Sequence, residues 1–338
     1  MRLRRSTVGG PGYRRIRRGR GFCYVNGQRE PVDDPEVLAR IESLVIPPAW
    51  KNVWICPYPN GHIQAVGTDA AGRRQYLYHQ QWQLERAEEK YDRVLRLAKR
   101  LPDWRAHVLA DMRSRGLERD RILAVAQHLI DRGYFRAGGE EYAQENGSFG
   151  LATLLRDHVR VRRDSVEFDY PAKSGVRRTV SLDDSLVIRA VKSLLRAETP
   201  IPRLLVYRTS EGWCEVRADD LNARFRELVG EEFSVKDLRT WHGTVLAAEG
   251  FATAREPTSK TARRREEAAV MRAVSEELGN TPAVARSSYV DPRVVLAYEQ
   301  GITIRPVLQR VARQRNPVER QHLIERATAR VIKRVDKD

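Results

Sequence analysis

Cysteine is scarce in this 338-residue chain: Cys23, Cys56 and Cys214 are odd in number, far apart and never in a CxxC spacing. That excludes a disulfide framework and a thiolate zinc site, and leaves three reduced thiols. Long apolar runs are missing as well. No stretch approaches the roughly 20 residues that a spanning helix needs, and the N-terminal MRLRRSTVGGPGYRRIRRGR has no apolar core or cleavage site behind its charges. Neither a membrane nor a secreted protein is expected, and the cytoplasm is the expected compartment. No HExxH, no GxxxxGK[ST] loop and no clustered acidic triplet occurs, so neither a metal nor a cofactor is expected. Lysine is sparse too, with nine residues, whereas arginine supplies the other 52 of the 61 basic side chains.

What the chain does have is positive charge, 61 basic against 45 acidic residues, for a formal +16. A cationic surplus attracts polyanions and releases their counterions on contact, which makes nucleic acid the leading partner. An arginine bias of coding composition is the plain alternative. With 41% apolar residues, the length suffices for about two domains with a sizeable core.

Residues 1–20 carry eight arginines among Gly9, Gly10, Pro11 and Gly12 with no apolar period, and read as a basic flexible arm. Residues 21–82 read as a β domain: short runs at Phe22 to Val25, Asn52 to Cys56, His62 to Gly67 and Gln75 to His79, with Asn60-Gly61 as a two-residue hairpin signal. From residue 83 to 338 the period becomes helical. Helices are expected at Leu84 to Lys99, Trp104 to Arg115, Arg119 to Arg132, Asn146 to Asp157, Asp183 to Leu195, Ala218 to Leu228, Val235 to Glu249, Lys260 to Leu278, Pro282 to Val290, Asp291 to Gln300 and Pro317 to Val335. A hairpin around Lys173 and a β pair near Leu204 to Val216 interrupt them. The expected fold class is α+β, a small N-terminal β-sheet domain plus a larger, mainly α-helical domain with a β-hairpin.

Three segments place cations and polar groups near a helix end or tight turn: Tyr134-Phe135-Arg136-Ala137-Gly138, Lys236 to His242, and Leu278-Gly279-Asn280-Thr281-Pro282 followed by Ser287-Ser288-Tyr289. Each alone has a plain reading, as capping glycines, a solvated helix face or a half-buried tyrosine. In the third, Gly279 ends one helix and Thr281-Pro282 has the N-cap and N1 grammar of the next, so Asn280 and Tyr289 flank one short helix.

Taken in order, these segments resemble the type IB DNA topoisomerases, specifically the compact poxvirus and bacterial branch. The resemblance runs from about Phe22 to Gly301. It includes Tyr142, the stretch Asn146-Gly147-Ser148-Phe149-Gly150-Leu151, the hairpin Phe168 to Gly175, and Gly72-Arg73-Arg74-Gln75-Tyr76-Leu77-Tyr78 in the N-terminal domain. The resemblance implies a catalytic helical domain of the tyrosine recombinase and type IB topoisomerase kind. Tyr289 would attack the scissile phosphodiester to give a 3′-phosphotyrosyl intermediate and a free 5′-hydroxyl, and religation would need neither ATP nor metal.

Arg136 and Arg239 would hold the non-bridging oxygens, and Lys173 would help protonate the leaving 5′ oxygen. Where most relatives have histidine nine residues before the tyrosine, this chain has Asn280, an amide able to donate one hydrogen bond to a phosphate oxygen. Arg73, Gln75, Tyr76 and Tyr78 would meet one face of the duplex, with Gly138, Tyr142, Asn146 and Ser148 as further DNA contacts. The implied partner is double-stranded DNA, especially supercoiled, clamped by a monomer. A tyrosine site-specific recombinase is the nearest alternative. Its second motif has His three residues before Arg, where this chain has Lys236, and it lacks an N-terminal β domain. A catalytically impaired DNA-binding relative is the other.

Overall fold

The computed structural model describes residues 2–140, 143 and 147–335. Its packing divides into two units between Lys90 and Tyr91, inside helix α2 (Gln80–Ala98), some residues beyond the expected boundary at 82.

The first unit is a five-stranded antiparallel sheet of β1 (Tyr13–Arg18), β2 (Gly21–Val25), β3 (Lys51–Ile55), β4 (Ile63–Thr68) and β5 (Arg74–Tyr78), in the order β2-β1-β3-β4-β5. The expectation of a flexible arm over residues 1–20 is corrected here. Strand β1 lies inside the sheet, Arg4 bridges Gly61, and the Ser6 amide donates to His62 Nδ1 at 2.8 Å. The arginines of YRRIRR hide the alternation. Arg15 takes a partly buried place by donating to the carbonyls of Ile46, Pro47 and Trp50 at 3.1, 3.0 and 2.7 Å. A guanidinium satisfied by three carbonyls can sit where an apolar residue was expected.

One sheet face packs Val53, Ile55 and Ala65 against Ile41 of α1 (Pro35–Ser43). That helix starts at Asp34, whose carboxylate accepts from the amides of Glu36 and Val37, with Pro35 in the first turn. Such a cap contributes about 1 kcal/mol. The link between β3 and β4 is longer than a two-residue turn: the strands stop at Ile55 and resume at Ile63, and the Gln64 amide donates to the carbonyls of Tyr58, Pro59 and Gly61.

In the second unit, α4 (Arg119–Gly133) is buried on nearly every side, as a central helix must be. Ile122, Leu123 and Leu129 are fully enclosed, each contributing about 1.5–3 kcal/mol of burial. Around it stand α3 (Leu101–Met112), α5 (Ser185–Arg196), α6 (Ala218–Val229) and α7 (Val235–Thr253). Helices α8 (Lys260–Leu278), α9 (Pro292–Glu299), α10 (Arg305–Val311) and α11 (Pro317–Val335) complete the unit.

The hairpin around Lys173 is part of a three-stranded sheet of β6 (Val159–Val161), β7 (Val166–Pro171) and β8 (Arg177–Leu182), and the later β pair is β9 (Val206–Thr209) with β10 (Gly212–Glu215). Two expectations change. The helix expected over 146–157 is, in its described part, a pair of 3-10 turns at Leu151–Thr153 and Arg156–His158, because the Leu151 and Ala152 amides are engaged by the carbonyls of Arg136 and Ala137. Helix α10 was not anticipated at all.

Candidate active site

Helix α4 ends at Gly133, but the left-handed residue that turns the chain is Tyr134, with φ 52° and ψ 35°. Gly133 has a packing reason to be glycine: a β-carbon there would come within 2.3 Å of the Phe135 ring. Phe135 is buried against Phe168 and Tyr170 of β7, at ring centroid distances of 5.0 and 6.0 Å. The next residue, Arg136, is held on both sides. Its carbonyl accepts from the Leu151 amide at 2.8 Å, and the Ala137 carbonyl accepts from the Ala152 amide at 2.7 Å. Gly138 has φ +88°, and a β-carbon on it would lie 2.9 Å from Gly150. Close approach to Gly150 therefore accounts for this glycine without a ligand.

Arg239 sits in the second turn of α7. That helix is fixed at its start by Asp237, whose Oδ2 accepts from the Ser234 amide and hydroxyl at 3.0 and 2.8 Å and whose Oδ1 accepts from Arg93 at 2.7 Å. Arg239 is buried, and its Nη1 donates to the Tyr134 carbonyl at 2.5 Å.

Three arginines meet the C-terminal end of α8. Arg178 donates to the Glu277 carbonyl at 3.0 Å, Arg239 to that of Leu278, and Arg136 to that of Gly279 at 2.9 Å. The carbonyl end of a helix carries a partial negative charge, which suits cations. Among the described residues none of the three forms an ion pair with a carboxylate. Burial, then the neighbouring Arg136 charge, lowers the Arg239 guanidinium to about 10, so it stays cationic at neutral pH. Burial likewise lowers Arg178. The result is a concentrated, uncompensated positive region.

Gly279 turns the chain with φ +59°, and a β-carbon there would meet Arg178 at 2.5 Å. Asn280 follows. Both polar atoms of its carboxamide are shielded from solvent and have no hydrogen-bond partner. A buried amide left unmade costs about 1–3 kcal/mol, which a bound acceptor would recover. Thr281 then caps the turn Pro282–Val284, which widens into a π-helix over Ala285–Tyr289 instead of the regular helix expected to Val290. Such widenings frequently mark functional positions.

The Tyr289 backbone lies on α7, where Thr244 Oγ1 donates to its carbonyl at 3.3 Å and a β-carbon at Gly243 would come within 2.6 Å of the same oxygen. Its ring stands 5.2 Å from the Arg239 guanidinium carbon. Phe135, Arg136, Lys236, Arg239 and Tyr289 line one cavity of about 220 Å³.

Of the sequence-derived site residues, Arg136, Arg239 and Tyr289 thus come together, with Asn280 next to the carbonyl that Arg136 engages. Lys173 does not join them: it is exposed on the turn Lys173–Gly175 between β7 and β8. Ser148 is buried, and Tyr142 and Asn146 lie outside the described residues. The residue missed by sequence reasoning is Arg178. Its signal was a cation at an inward position of β8, in step with Val180 and Leu182.

In the first unit, Tyr76 and Tyr78 are exposed and stacked, with centroids 5.9 Å apart, and Leu77 between them packs into the core. Gln75 does not share their face. It donates to Asp69 at 3.0 Å, the same carboxylate oxygen that Arg73 pairs with at 2.9 Å. The strand's alternation thus sets Gln75 apart from the Tyr76 and Tyr78 pair. Register places Arg14, Trp54, Val66 and Tyr76 in one row across the sheet, beside a basin of about 900 Å³ that Arg14, Arg29 and Arg74 line.

Comparison with known proteins fits both units. The family described as "Eukaryotic DNA topoisomerase I, catalytic core" matches residues 79–314, and "Bacterial DNA topoisomerase IB, N-terminal domain" matches residues 21–69. DNA topoisomerase 1B of Acanthamoeba polyphaga mimivirus is 28% identical over 287 residues, 82% of this chain and 85% of the viral protein. DNA topoisomerase 1B of Vaccinia virus (strain Copenhagen) is 23% identical over 231 residues, 67% of this chain and 69% of that protein. DNA topoisomerase 1 beta of Arabidopsis thaliana is 24% identical over 160 residues, 47% of this chain and 16% of the plant protein. With the catalytic-core family covering most of its length, the chain belongs to the type IB DNA topoisomerases and is an enzyme that acts on DNA.

Proposed function

We propose that the enzyme relaxes supercoiled DNA of either sign as a monomer, in the cytoplasm at the nucleoid, by a cycle of single-strand cleavage and religation through Tyr289. The phenolic oxygen gives up its proton to solvent and forms a bond to the scissile phosphorus while the bond to the 5′ oxygen breaks, leaving a 3′-phosphotyrosyl link and a free 5′-hydroxyl. After the broken strand has rotated, that hydroxyl attacks the same phosphorus and releases the tyrosine. The ester conserves the bond, so the cycle needs no ATP.

Arg136 and Arg239 hold the non-bridging oxygens, where charge accumulates in the pentavalent transition state, and Asn280 donates the further hydrogen bond for which its amide is free. Lys173 delivers a proton to the leaving 5′ oxygen from its exposed turn once DNA is bound. Arg73, Gln75, Tyr76 and Tyr78, with Gly138, Tyr142, Asn146 and Ser148, are the proposed DNA contacts, and for Tyr76 and Tyr78 the support is their exposure as a stacked pair.

The observation that carries this reading is the convergence of uncompensated guanidinium groups on one tyrosine. The test is denaturation of the protein during incubation with supercoiled plasmid in EDTA and without ATP. A covalent adduct at the 3′ end, lost together with relaxation in Tyr289→Phe, is expected. Relaxation that survives in Tyr289→Phe, or that needs ATP or a metal, would overturn it.

A further inference from the structure

Behind Arg239 lies a buried chain of charged groups that no step above uses. His242 Nε2 is 2.9 Å from Asp131 Oδ1. Arg105 donates to Asp131 at 2.7 and 3.0 Å and, at 2.8 Å through each of two nitrogens, to both oxygens of Glu325. Gln321 adds a bond to Glu325 at 3.0 Å. Asp131, His242 and Glu325 are all buried. Burial would raise the Asp131 carboxyl, but the Arg105 charge and the His242 hydrogen bond outweigh it and hold Asp131 well below the usual carboxylate range. An ionised Asp131 only accepts, so His242 donates to it from Nε2.

The placement matters. Asp131 lies three residues before Tyr134 on α4, and His242 three residues after Arg239 on α7. The Tyr134 and His242 rings are 4.9 Å apart, and the Tyr134 carbonyl is what Arg239 Nη1 binds. The pair therefore fastens α4 to α7 one helical turn from the contact that orients Arg239. Arg105 of α3 and Glu325 of α11 balance the pair from behind.

We propose that Glu325, in the last helix, is a positioning residue for Arg239: through Arg105 and the Asp131–His242 pair it holds the Tyr134 carbonyl in place, and with it the guanidinium. The inference rests on the reading of Arg239 as a phosphate clamp. Removing one partner of a buried ionic cluster leaves the others uncompensated, so the helices shift. A displacement of about 1 Å at a group that grips the transition state can slow a reaction about a hundredfold.

The experiment is single-turnover cleavage of a duplex oligonucleotide by the full chain, with DNA affinity measured separately, for the wild type, Glu325→Gln, Arg239→Ala and the double variant. Glu325→Gln is expected to slow cleavage about ten- to a hundredfold, with DNA affinity essentially unchanged, and the double variant to be no slower than Arg239→Ala, since coupled residues are not additive. A purely structural Glu325 would instead multiply its loss onto that of Arg239→Ala. Wild-type cleavage by Glu325→Gln, or full multiplication, overturns the proposal. Wild-type cleavage by Arg239→Ala sinks the clamp reading itself. Where Glu325→Gln fails to fold, His242→Gln is run through the same cycle with the same expected and overturning outcomes.

Discussion

The Arg239 guanidinium carbon stands 5.2 Å from the centroid of the Tyr289 ring, with its Nη1 tied to the Tyr134 carbonyl behind it. One cation thus lies beside the proposed nucleophile and is anchored at a fixed distance from the helix that precedes Arg136. Lysine there keeps a charge but loses the fork that reaches both the Tyr134 and Leu278 carbonyls. Arg239→Lys should cleave about a hundred- to a thousandfold more slowly, as read by single-turnover adduct formation, while still binding DNA.

Asn280→Ala removes the unpartnered amide and should slow cleavage by about ten- to a thousandfold, as expected for one lost oxyanion-type donor. Asn280→His restores a donor and should remain active. An Asn280→Ala enzyme with an unchanged adduct rate would refute the role.

Gly243 is where α7 admits the Tyr289 backbone, and a β-carbon would come within 2.6 Å of its carbonyl oxygen. Gly243→Ala should displace the tyrosine and cost about 1–3 kcal/mol of stability through overpacking. Thermal denaturation checks the second effect, and adduct formation should fall by about tenfold or more.

Stability at acid pH should depend on Asp184. Its carboxylate accepts from His128 at 2.8 Å and caps α5, and the His128 hydrogen bond leads the effects that lower it to about 2. A carboxyl depressed in the folded state stabilises it above the unfolded value of 3.8, and that stabilisation disappears as pH falls through the folded value. Asp184→Asn keeps a capping oxygen but loses the charge. It should destabilise the protein by about 1–2 kcal/mol at neutral pH, allowing for the screening of a half-buried pair. In denaturant titrations the difference from wild type should vanish between about pH 4 and pH 2.

Tyr76→Ala removes an exposed, stacked ring and should leave stability within about 0.5 kcal/mol while weakening DNA binding severalfold. Raising salt should speed dissociation and reduce the turns released per encounter, because phosphate contacts release counterions. Plasmid relaxation followed over time at several salt concentrations measures this.

Cap grammar made some elements readable in advance. Helices α8 and α11 keep the bounds expected of them, since Gly279 stops the one and Pro317 starts the other. Strand β1 was illegible because arginines occupy most of its positions and the partly buried one, Arg15, is satisfied by carbonyls of a distant loop. The same difficulty hid Arg178, whose partners are the Gly133 and Glu277 carbonyls, and the Arg105–Glu325 pair, which lies 220 residues apart in sequence. Local spacing reveals capping and periodicity. It does not reveal which backbone a long cationic side chain will reach after folding.

The seating of Arg178, Arg239 and Arg136 on three successive carbonyls has a consequence for the idle enzyme. A carboxylate counterion would have to be torn loose before a DNA phosphate could enter, whereas the carbonyl end of a helix presents only about half an elementary charge. A phosphate's full charge outbids it without any ion pair having to break. The cations wait already stripped of much of their water, on a seat they can surrender.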